Sequence, residues 1–156
     1  MRVEWIARLI RSTNLTARGR ARLMRVLDGL TDAHLARLER GMWRRLLLRG
    51  LAIGLPTRFN PRSAGDLRAR IEARFPHPDG LEPDRFDIEI ADGQCRVHRR
   101  AHPDPDAVCT IGVADLLHLT RGTTTLTVLW VSGQLTLDGD PYVLLKLPDL
   151  FSGPRP

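Results

Sequence analysis

The sequence predicts an α+β protein in which an all-helical, basic N-terminal segment precedes a domain of strands and helices. Three observations lead to this fold class. Apolar residues recur at helical spacing through the first third of the chain. Residues 85–100 alternate apolar and charged side chains around a turn signal. Residues 134–147 have the pattern of a strand, a turn and an apolar helix.

Composition indicates one domain with an appendage, and charge separates the two parts. The chain has 156 residues and a net charge of +6, which is enough chain for a single core. Residues 1–55 have a net charge of +8, whereas residues 56–156 have a net charge of −2. The asymmetry predicts a basic segment attached to a nearly neutral domain.

The compartment is predicted from the cysteines and from the start of the chain. Cys95 and Cys109 are too few for a disulfide framework and have no metal-ligand spacing. The first residues lack the apolar stretch of a secretory signal. We therefore expect a cytoplasmic protein, and peripheral contact at the inner membrane surface is an extension of that expectation.

Three helices are predicted in the N-terminal segment. The first covers residues 1–12 and the second about residues 16–30. The third begins after a cap at Thr31 and Asp32 and ends near Gly50 or Gly54, before Pro56.

The most hydrophobic window, residues 46–55, leaves two interpretations of this segment open. It has about half of the roughly 20 residues that span a bilayer, so we do not expect it to cross one. In one interpretation an amphipathic helix docks on anionic lipid; in the other the helices pack on the following domain and their arginines are solvated. The first interpretation uses the membrane-surface residues Trp5, Arg8, Arg11, Trp43, Arg44, Arg45 and Arg49. Nucleic acid is disfavoured as a partner, because no recognised binding motif accompanies the charge.

The segment after the linker is predicted to begin with a helix and a hairpin. Leu67, Ile71 and Phe75 recur every four residues, which indicates a short amphipathic helix at residues 63–75. Asp92-Gly93 is a dipeptide favoured in two-residue turns. That turn predicts a hairpin register in which apolar pairs share one face and charged pairs the other.

The hairpin register gives Cys95 and His98 structural roles. Cys95 is expected at the edge of the core-facing row. His98 is expected to be the cross-strand partner of Asp87 rather than a catalytic base.

Three strands and two helices are predicted in the rest of the chain. A strand at residues 107–113 and a helix at residues 114–120 that stops at Gly122 come first. Residues 123–131 are rich in β-branched side chains and favour a strand. A strand at residues 134–138 follows, and then a helix at residues 141–147 that Pro148 ends or kinks.

The acidic turn at residues 138–140 has a structural interpretation. Asp138-Gly139-Asp140 is too short for a calcium loop, which needs spaced ligands and a later bidentate acid. We interpret Asp140 as the N-cap of the last helix, with Pro141 at the first helical position.

The sequence predicts no bond chemistry. None of the histidines lies in a recognised hydrolase signature, and no glycine-rich phosphate loop is present. We therefore predict no enzyme activity, no catalytic residue, no metal site and no cofactor.

An ordered series of motifs resembles the sterol carrier protein 2 family. The series is "FDIEIADGQCRV", then "DAVCTIGVADLLHLTRG", then "GQLTLDGDPYVLLKLPDLF", over about residues 63–152. The resemblance implies a five-stranded sheet covered on one face by helices, with a tunnel for apolar molecules between them. It divides the chain into a basic helical segment (1–55), a linker (56–62), the lipid-binding domain (63–152) and a tail (153–156).

The resemblance implies non-enzymatic binding and carriage or presentation of an apolar ligand of sterol, fatty acyl or prenyl-quinone type. The expected ligand-lining residues are Leu116, Leu117, Leu119, Leu126, Leu129, Trp130, Val131, Val143, Leu144, Leu147, Leu150 and Phe151. The strand-like residues 123–131 and Pro148 depart from the family pattern, and Pro148 is expected to shorten the closing helix.

The same resemblance implies possible protein partners. A basic helical segment ahead of such a domain is similar to accessory factors of bacterial ubiquinone biosynthesis. The alternative function is a protein-interaction module that docks a partner enzyme, or a second copy in a homodimer, through the same apolar surface without a cavity.

Overall fold

The structure, a computed structural model, describes residues 41–151. The first two predicted helices, the start of the third, and Trp5, Arg8 and Arg11 lie outside the described residues. The helices are α1 (Gly41–Gly54), α2 (Pro61–Ala64), α3 (Val113–Arg121), α4 (Leu126–Val131) and α5 (Pro141–Leu150), with a 3-10 turn at Leu55–Arg58. The strands are β1 (Ala69–Phe75), β2 (Asp84–Ala91), β3 (Gln94–His98), β4 (Ala107–Ile111) and β5 (Leu135–Gly139).

The strands form one mixed five-stranded sheet in the order β3-β2-β1-β4-β5. Strands β1 and β4 pair in parallel and the other neighbours pair antiparallel. The predicted hairpin register is confirmed, since Asp87 lies opposite His98 and Ala91 lies opposite Gln94. The turn residue Asp92 has a φ of 54°, as a primed two-residue turn requires.

The helix predicted at residues 63–75 is wrong, because most of this stretch forms β1 at the centre of the sheet. Residues four apart lie on one face of a helix. They also lie on one face of a strand, because strand side chains alternate between the two faces. Ala69 and Ala73 fill the intervening core-facing positions, and both are buried. The segment therefore alternates small or apolar residues with Arg70, Glu72 and Arg74, which is a strand pattern.

The strand predicted at residues 123–131 is also wrong, because Leu126–Val131 forms the helix α4. The Thr125 hydroxyl caps this helix by accepting a hydrogen bond from Val128 N at 3.2 Å. Leu126 and Leu129, three residues apart, turn toward the core, whereas a strand would have sent them to opposite faces. Local capping and burial therefore outweigh β propensity here.

Pro148 does not end the last helix, since α5 continues to Leu150 with the proline inside it. Burial and a hydrogen bond hold the last turn of α5 in place. Leu150 is fully buried, and its carbonyl accepts a hydrogen bond from Asn60 N at 2.8 Å. Two further helical predictions are confirmed: α3 ends at a left-handed Gly122, and Asp140 caps α5 with Pro141 at its first position.

One face of the sheet packs under the helices and forms the apolar layer of the protein. The sheet contributes Ala69, Ile71, Ala73, Phe75, Ile88, Ile90, Ala107, Ile111 and Leu135 to this layer. The helices contribute Leu47, Leu48, Leu51, Val113, Leu117, Leu129, Val143, Leu147 and Leu150. The α+β fold class, with a helical segment ahead of the sheet, is thus confirmed.

The opposite face of the sheet bears charged side chains in alternation with the apolar layer. Arg70 on β1 pairs with Asp87 and with Glu89 on β2, and Glu72 pairs with Arg74. Asp87 and Glu72 are nevertheless almost fully buried. Long arginine side chains beside them provide the opposite charge that a buried carboxylate needs.

Candidate functional site

The apolar layer contains five of the twelve residues that the sequence predicted to line a ligand site. Leu117 on α3, Leu129 on α4 and Val143, Leu147 and Leu150 on α5 are all buried in it. These side chains come from three helices and face the sheet. Their helices present leucine or valine at three- and four-residue spacing, which places one apolar stripe against the sheet.

A second group of the predicted residues packs at the margin of this layer. Leu116, Leu119, Leu126, Leu144 and Phe151 are partly buried against it. The Phe151 ring lies 6.0 Å from the ring of Phe59, centroid to centroid, in a tilted arrangement that suits aromatic pairs. The C-terminal end of α5 is thereby attached to the segment that precedes β1.

The remaining two predicted residues lie outside the layer. Trp130 is 57% exposed and Val131 is 79% exposed. Together with Val128, which is 56% exposed, they form an outward apolar ridge on α4. The helical course of α4 explains this placement, since only Leu126 and Leu129 can share its inner stripe.

The described membrane-surface candidates on α1 divide into two kinds. Arg45 is exposed, and Trp43 and Arg49 are half-buried. Arg44, by contrast, is 1% exposed. Its guanidinium donates to Asp84 Oδ2 at 2.8 Å and to the carbonyl of Phe75 at 2.7 Å. Arg44 therefore ties α1 to the sheet and presents no charge to a surface.

A pocket of about 430 Å³, open to solvent, lies where the starts of β1 and α5 meet the start of β4. We call it the rim pocket. Its polar lining comes from Asp66, Arg68, Asp106, Asp140, Tyr142 and Lys146, and Leu67 and Val143 supply its apolar part. No sequence pattern predicted this pocket, because each of its aspartates fits a local role in a turn or a helix cap.

Close packing of the backbone brings two of these aspartates together. Asp140 N donates to the carbonyl of Asp106 at 2.8 Å, and Asp106 Oδ2 accepts from Arg70 N at 2.7 Å. Gly139, with a φ of 119°, permits this approach, since a Cβ there would lie 2.4 Å from the Asp106 carbonyl oxygen. Only glycine fits such a position.

The titratable groups of the hairpin have structural partners. His98 lies opposite Asp87 in register, but its Nε2 lies 2.8 Å from Glu89 Oε2 instead, and Asp87 pairs with Arg70. The predicted cross-strand pairing of His98 with Asp87 is confirmed, and the His98 side chain bonds to Glu89, the next residue on the same face of β2. The hydrogen bond from His98 lowers the pKa of Glu89 below its usual 4.5.

The two cysteines are shielded thiols. Burial raises the pKa of Cys95 to about 11 and that of Cys109 to about 12. A thiol with such a pKa is almost wholly protonated at neutral pH and is a poor nucleophile.

Residues 41–151 contain no candidate metal group and no candidate membrane span. No three metal-ligating side chains converge among these residues. None of the helices described is both long and apolar enough to cross a bilayer.

Comparison with known proteins points to one family. The family model of the SCP-2 sterol transfer family matches residues 60–152. No curated protein sequence matches the chain significantly.

Several solved structures share the fold. The crystal structure of Sterol Carrier Protein 2 Like 2 from Aedes aegypti matches with a TM-score of 0.55 and 16% identity, covering 74% of this chain and 98% of its own. The solution structure of palmitated SCP2L2 from the same organism has a TM-score of 0.54 and 17% identity, covering 67% and 90%. A protein described as UbiJ-SCP2 Ubiquinone synthesis protein has a TM-score of 0.53 and 20% identity, covering 70% and 96%. At these identities the likeness shows the fold.

Proposed function

Because this chain belongs to the SCP-2 sterol transfer family, we propose that it binds an apolar, lipid-like ligand and carries or presents it without a catalytic step. The family match spans β1 to α5, the region that holds the sheet and most of the apolar layer. The observation that carries the proposal is the convergence of α3, α4 and α5 side chains on one apolar layer within that region. A relative with this fold was solved in a palmitated form, which supports an acyl chain as one ligand type.

The proposed mechanism is partitioning of an apolar chain between a bilayer and the apolar layer. Burial of each methylene group contributes about 0.8 kcal/mol. Micromolar affinity corresponds to about 8 kcal/mol, which the burial of about ten methylene groups would supply before the costs of association. A ligand of fatty acyl, sterol or prenyl-quinone size is therefore large enough.

We further propose that the N-terminal segment makes peripheral contact with the membrane from which the ligand comes. Trp43, Arg45 and Arg49 are the described residues available for it, and Arg44 is removed from the set because its guanidinium is bonded inside the fold. Each basic residue near an anionic surface adds about 1 kcal/mol. Charge reversal of both Arg45 and Arg49 should weaken sedimentation with phosphatidylserine vesicles and leave sedimentation with phosphatidylcholine vesicles unchanged. Equal sedimentation of this variant and the wild type with both vesicles would contradict the membrane contact.

Ligand binding is tested by native mass spectrometry of the purified protein together with displacement of a fluorescent fatty acid. The sharpest variant is Leu144→Trp, which forces a large ring from α5 into the margin of the apolar layer. Its matched control is Leu145→Trp on the same helix, since Leu145 is 79% exposed. We expect the Leu144→Trp variant to bind at least tenfold more weakly while the Leu145→Trp variant binds as the wild type does. Thermal unfolding of both variants shows whether the fold is retained.

The rival function is a protein-interaction module that uses apolar surface without a ligand. The exposed ridge of Val128, Trp130 and Val131 favours this alternative, as does the structural likeness to a protein described as a ubiquinone synthesis protein. Absence of bound lipid and of displacement at micromolar concentrations would support it and would refute the lipid-binding proposal. In that case Trp130→Ala should disrupt association with a partner enzyme or with a second copy.

A further inference from the structure

We propose that the ligand is one open hydrocarbon chain rather than a fused-ring sterol, and that it lies across the sheet in a groove beneath the helices. The floor of the groove is one cross-strand row of side chains, which we call the middle row: Leu137 on β5, Cys109 on β4, Ala73 on β1 and Phe86 on β2. This inference rests on the proposed function, because it names the ligand class and its position for the same apolar layer.

The middle row keeps accessible surface between two rows that have almost none. Leu137, Cys109 and Phe86 are partly exposed although they belong to the helix-covered face. The side chains of the two neighbouring rows are buried: Ala107, Ile71 and Ile88 on one side, and Leu135, Ile111 and Phe75 on the other. The helices therefore pack on the two neighbouring rows and leave the middle row open below them.

The exposure of the middle row does not come from an edge of the sheet. Strands β4 and β2 each lie between two other strands, so Cys109 and Phe86 are accessible from the helical side. The row is also lower than its neighbours, because Ala73 and Cys109 have shorter side chains than Ile71 and Ile111 on the same strands. A groove thus crosses the sheet beneath the helices.

The thiol in the middle row shows that the surroundings of the groove are apolar. Cys109 has accessible surface, yet burial raises its pKa to about 12. A thiol beside bulk water would keep a lower pKa, since water stabilises the thiolate. None of the four side chains of the middle row carries a charge. The groove therefore offers contacts to a hydrocarbon and no ionic partner to a head group.

The dimensions of the groove favour one open chain. Neighbouring strands lie about 4.8 Å apart, so a row over four strands is about 14 Å long. Rows on one face of a sheet repeat about every 6.7 Å along a strand, so the groove is one row wide. A single hydrocarbon chain fits this width. The fused rings of a sterol would press against Ile71 and Ile111 on either side, and well-packed side chains resist such crowding.

The ligand class is tested with two amphiphiles that share a head group. Hexadecyl sulfate and cholesterol sulfate, each below its critical micelle concentration, compete with N-phenyl-1-naphthylamine, an uncharged fluorescent probe. We expect hexadecyl sulfate to displace the probe at about tenfold lower concentration than cholesterol sulfate. The common sulfate removes the contribution of head-group charge from the comparison.

The position of the chain is tested by labelling the two thiols of the wild-type protein. Cys109 lies in the middle row, whereas Cys95 lies opposite Ile90 and outside that row. Palmitate should slow the alkylation of Cys109 by iodoacetamide at pH 8 about fivefold and leave that of Cys95 unchanged, as mass spectrometry of peptides can follow. Cys95 is the internal control, because a general stabilisation of the fold by palmitate would slow the labelling of both thiols.

Two adjacent substitutions distinguish the groove from the opposite face of the sheet. Cys109→Phe fills the groove, whereas Thr110→Phe places the same ring on the other face of β4. We expect Cys109→Phe to weaken palmitate binding about tenfold and Thr110→Phe to bind as the wild type does. Thermal unfolding shows whether each variant is folded, and the labelling of the wild type tests the same position without any substitution.

The outcomes separate this inference from the proposed function. Equal displacement by the two sulfates, or tighter binding of cholesterol sulfate, overturns the ligand class and leaves lipid binding in place. If palmitate displaces the probe but protects both thiols equally or protects neither, the position in the groove is overturned. Equal effects of the two phenylalanine variants overturn it as well. Displacement by none of these ligands overturns this inference and the proposed function together.

Discussion

The contact of Arg44 with the sheet predicts that a single helix residue stabilises the whole described fold. Arg44 is 1% exposed and donates to the carbonyls of Phe75 at 2.7 Å and Pro76 at 3.0 Å, and to Asp84 at 2.8 Å. These acceptors lie at the end of β1 and the start of β2. The side chain therefore fastens α1 to the connection between two central strands.

The expected loss in free energy of unfolding follows from the acceptors that lose their donor in Arg44→Met. Removal of one partner from a buried charge pair costs about 3–5 kcal/mol. The Asp84 side chain is 41% exposed, so water can replace part of its lost contact and the lower end applies. The buried Phe75 carbonyl loses a charged donor, which is worth about 1.5–3 kcal/mol. We expect Arg44→Met to lower the free energy of unfolding by about 3 kcal/mol.

Urea unfolding monitored by circular dichroism measures this loss. Arg45→Met is the matched control, because Arg45 is the exposed neighbour and its substitution should change stability by less than about 0.5 kcal/mol. Arg44→Lys should be intermediate, since an ammonium keeps the charge but cannot reach three acceptors in a fixed fork. Equal losses for Arg44→Met and Arg45→Met would refute the reasoning.

Three further predictions concern single groups. Asp140→Ala removes the cap of α5 and should lower stability by about 1 kcal/mol in the same assay; stabilisation by a metal ion that this substitution abolishes would contradict its role as a cap. Because the pKa of Glu89 is lowered, its contribution to stability is present above 4.5 and is lost as pH falls through the folded value. An NMR titration should show that value below 4.5 and its return upward in His98→Ala; no movement would contradict the hydrogen bond. Since burial raises the pKa of Cys95 to about 11 and of Cys109 to about 12, iodoacetamide at pH 8 should label both slowly in the native protein and quickly in urea, as mass spectrometry can follow.

The hairpin shows what sequence can predict well. A two-residue turn fixes every cross-strand pair that follows it, so Asp92-Gly93 determined the register of β2 and β3. It did not determine which carboxylate His98 would bond. Glu89 and Asp87 share one face, and the choice between them depends on Arg70, which comes from a neighbouring strand that the sequence had assigned to a helix.

The errors at β1 and α4 have different causes. At β1 the apolar repeat of four residues fits both the helical period and the strand period. The deciding signal was that charged residues alternate with small or apolar residues along the segment. At α4 the residue types favoured a strand, and a threonine cap together with the burial of only Leu126 and Leu129 decided for a helix. The rim pocket was beyond prediction for a third reason, since its aspartates come from separate loops that only the fold brings together.

The attachments of α5 determine how the proposed site can open. Its first turn is held by the Asp140 cap and by the hydrogen bond from Asp140 N to Asp106. Its last turn is held by the bond from Asn60 N to Leu150 and by the contact of Phe151 with Phe59. A swing of the whole helix would break both sets of contacts and expose its buried leucines, at a cost comparable to the total stability of a small domain. We therefore expect a ligand to enter the apolar layer by displacing side chains between these two sets of contacts, such as Val143 and Leu147, while both ends of α5 stay in place.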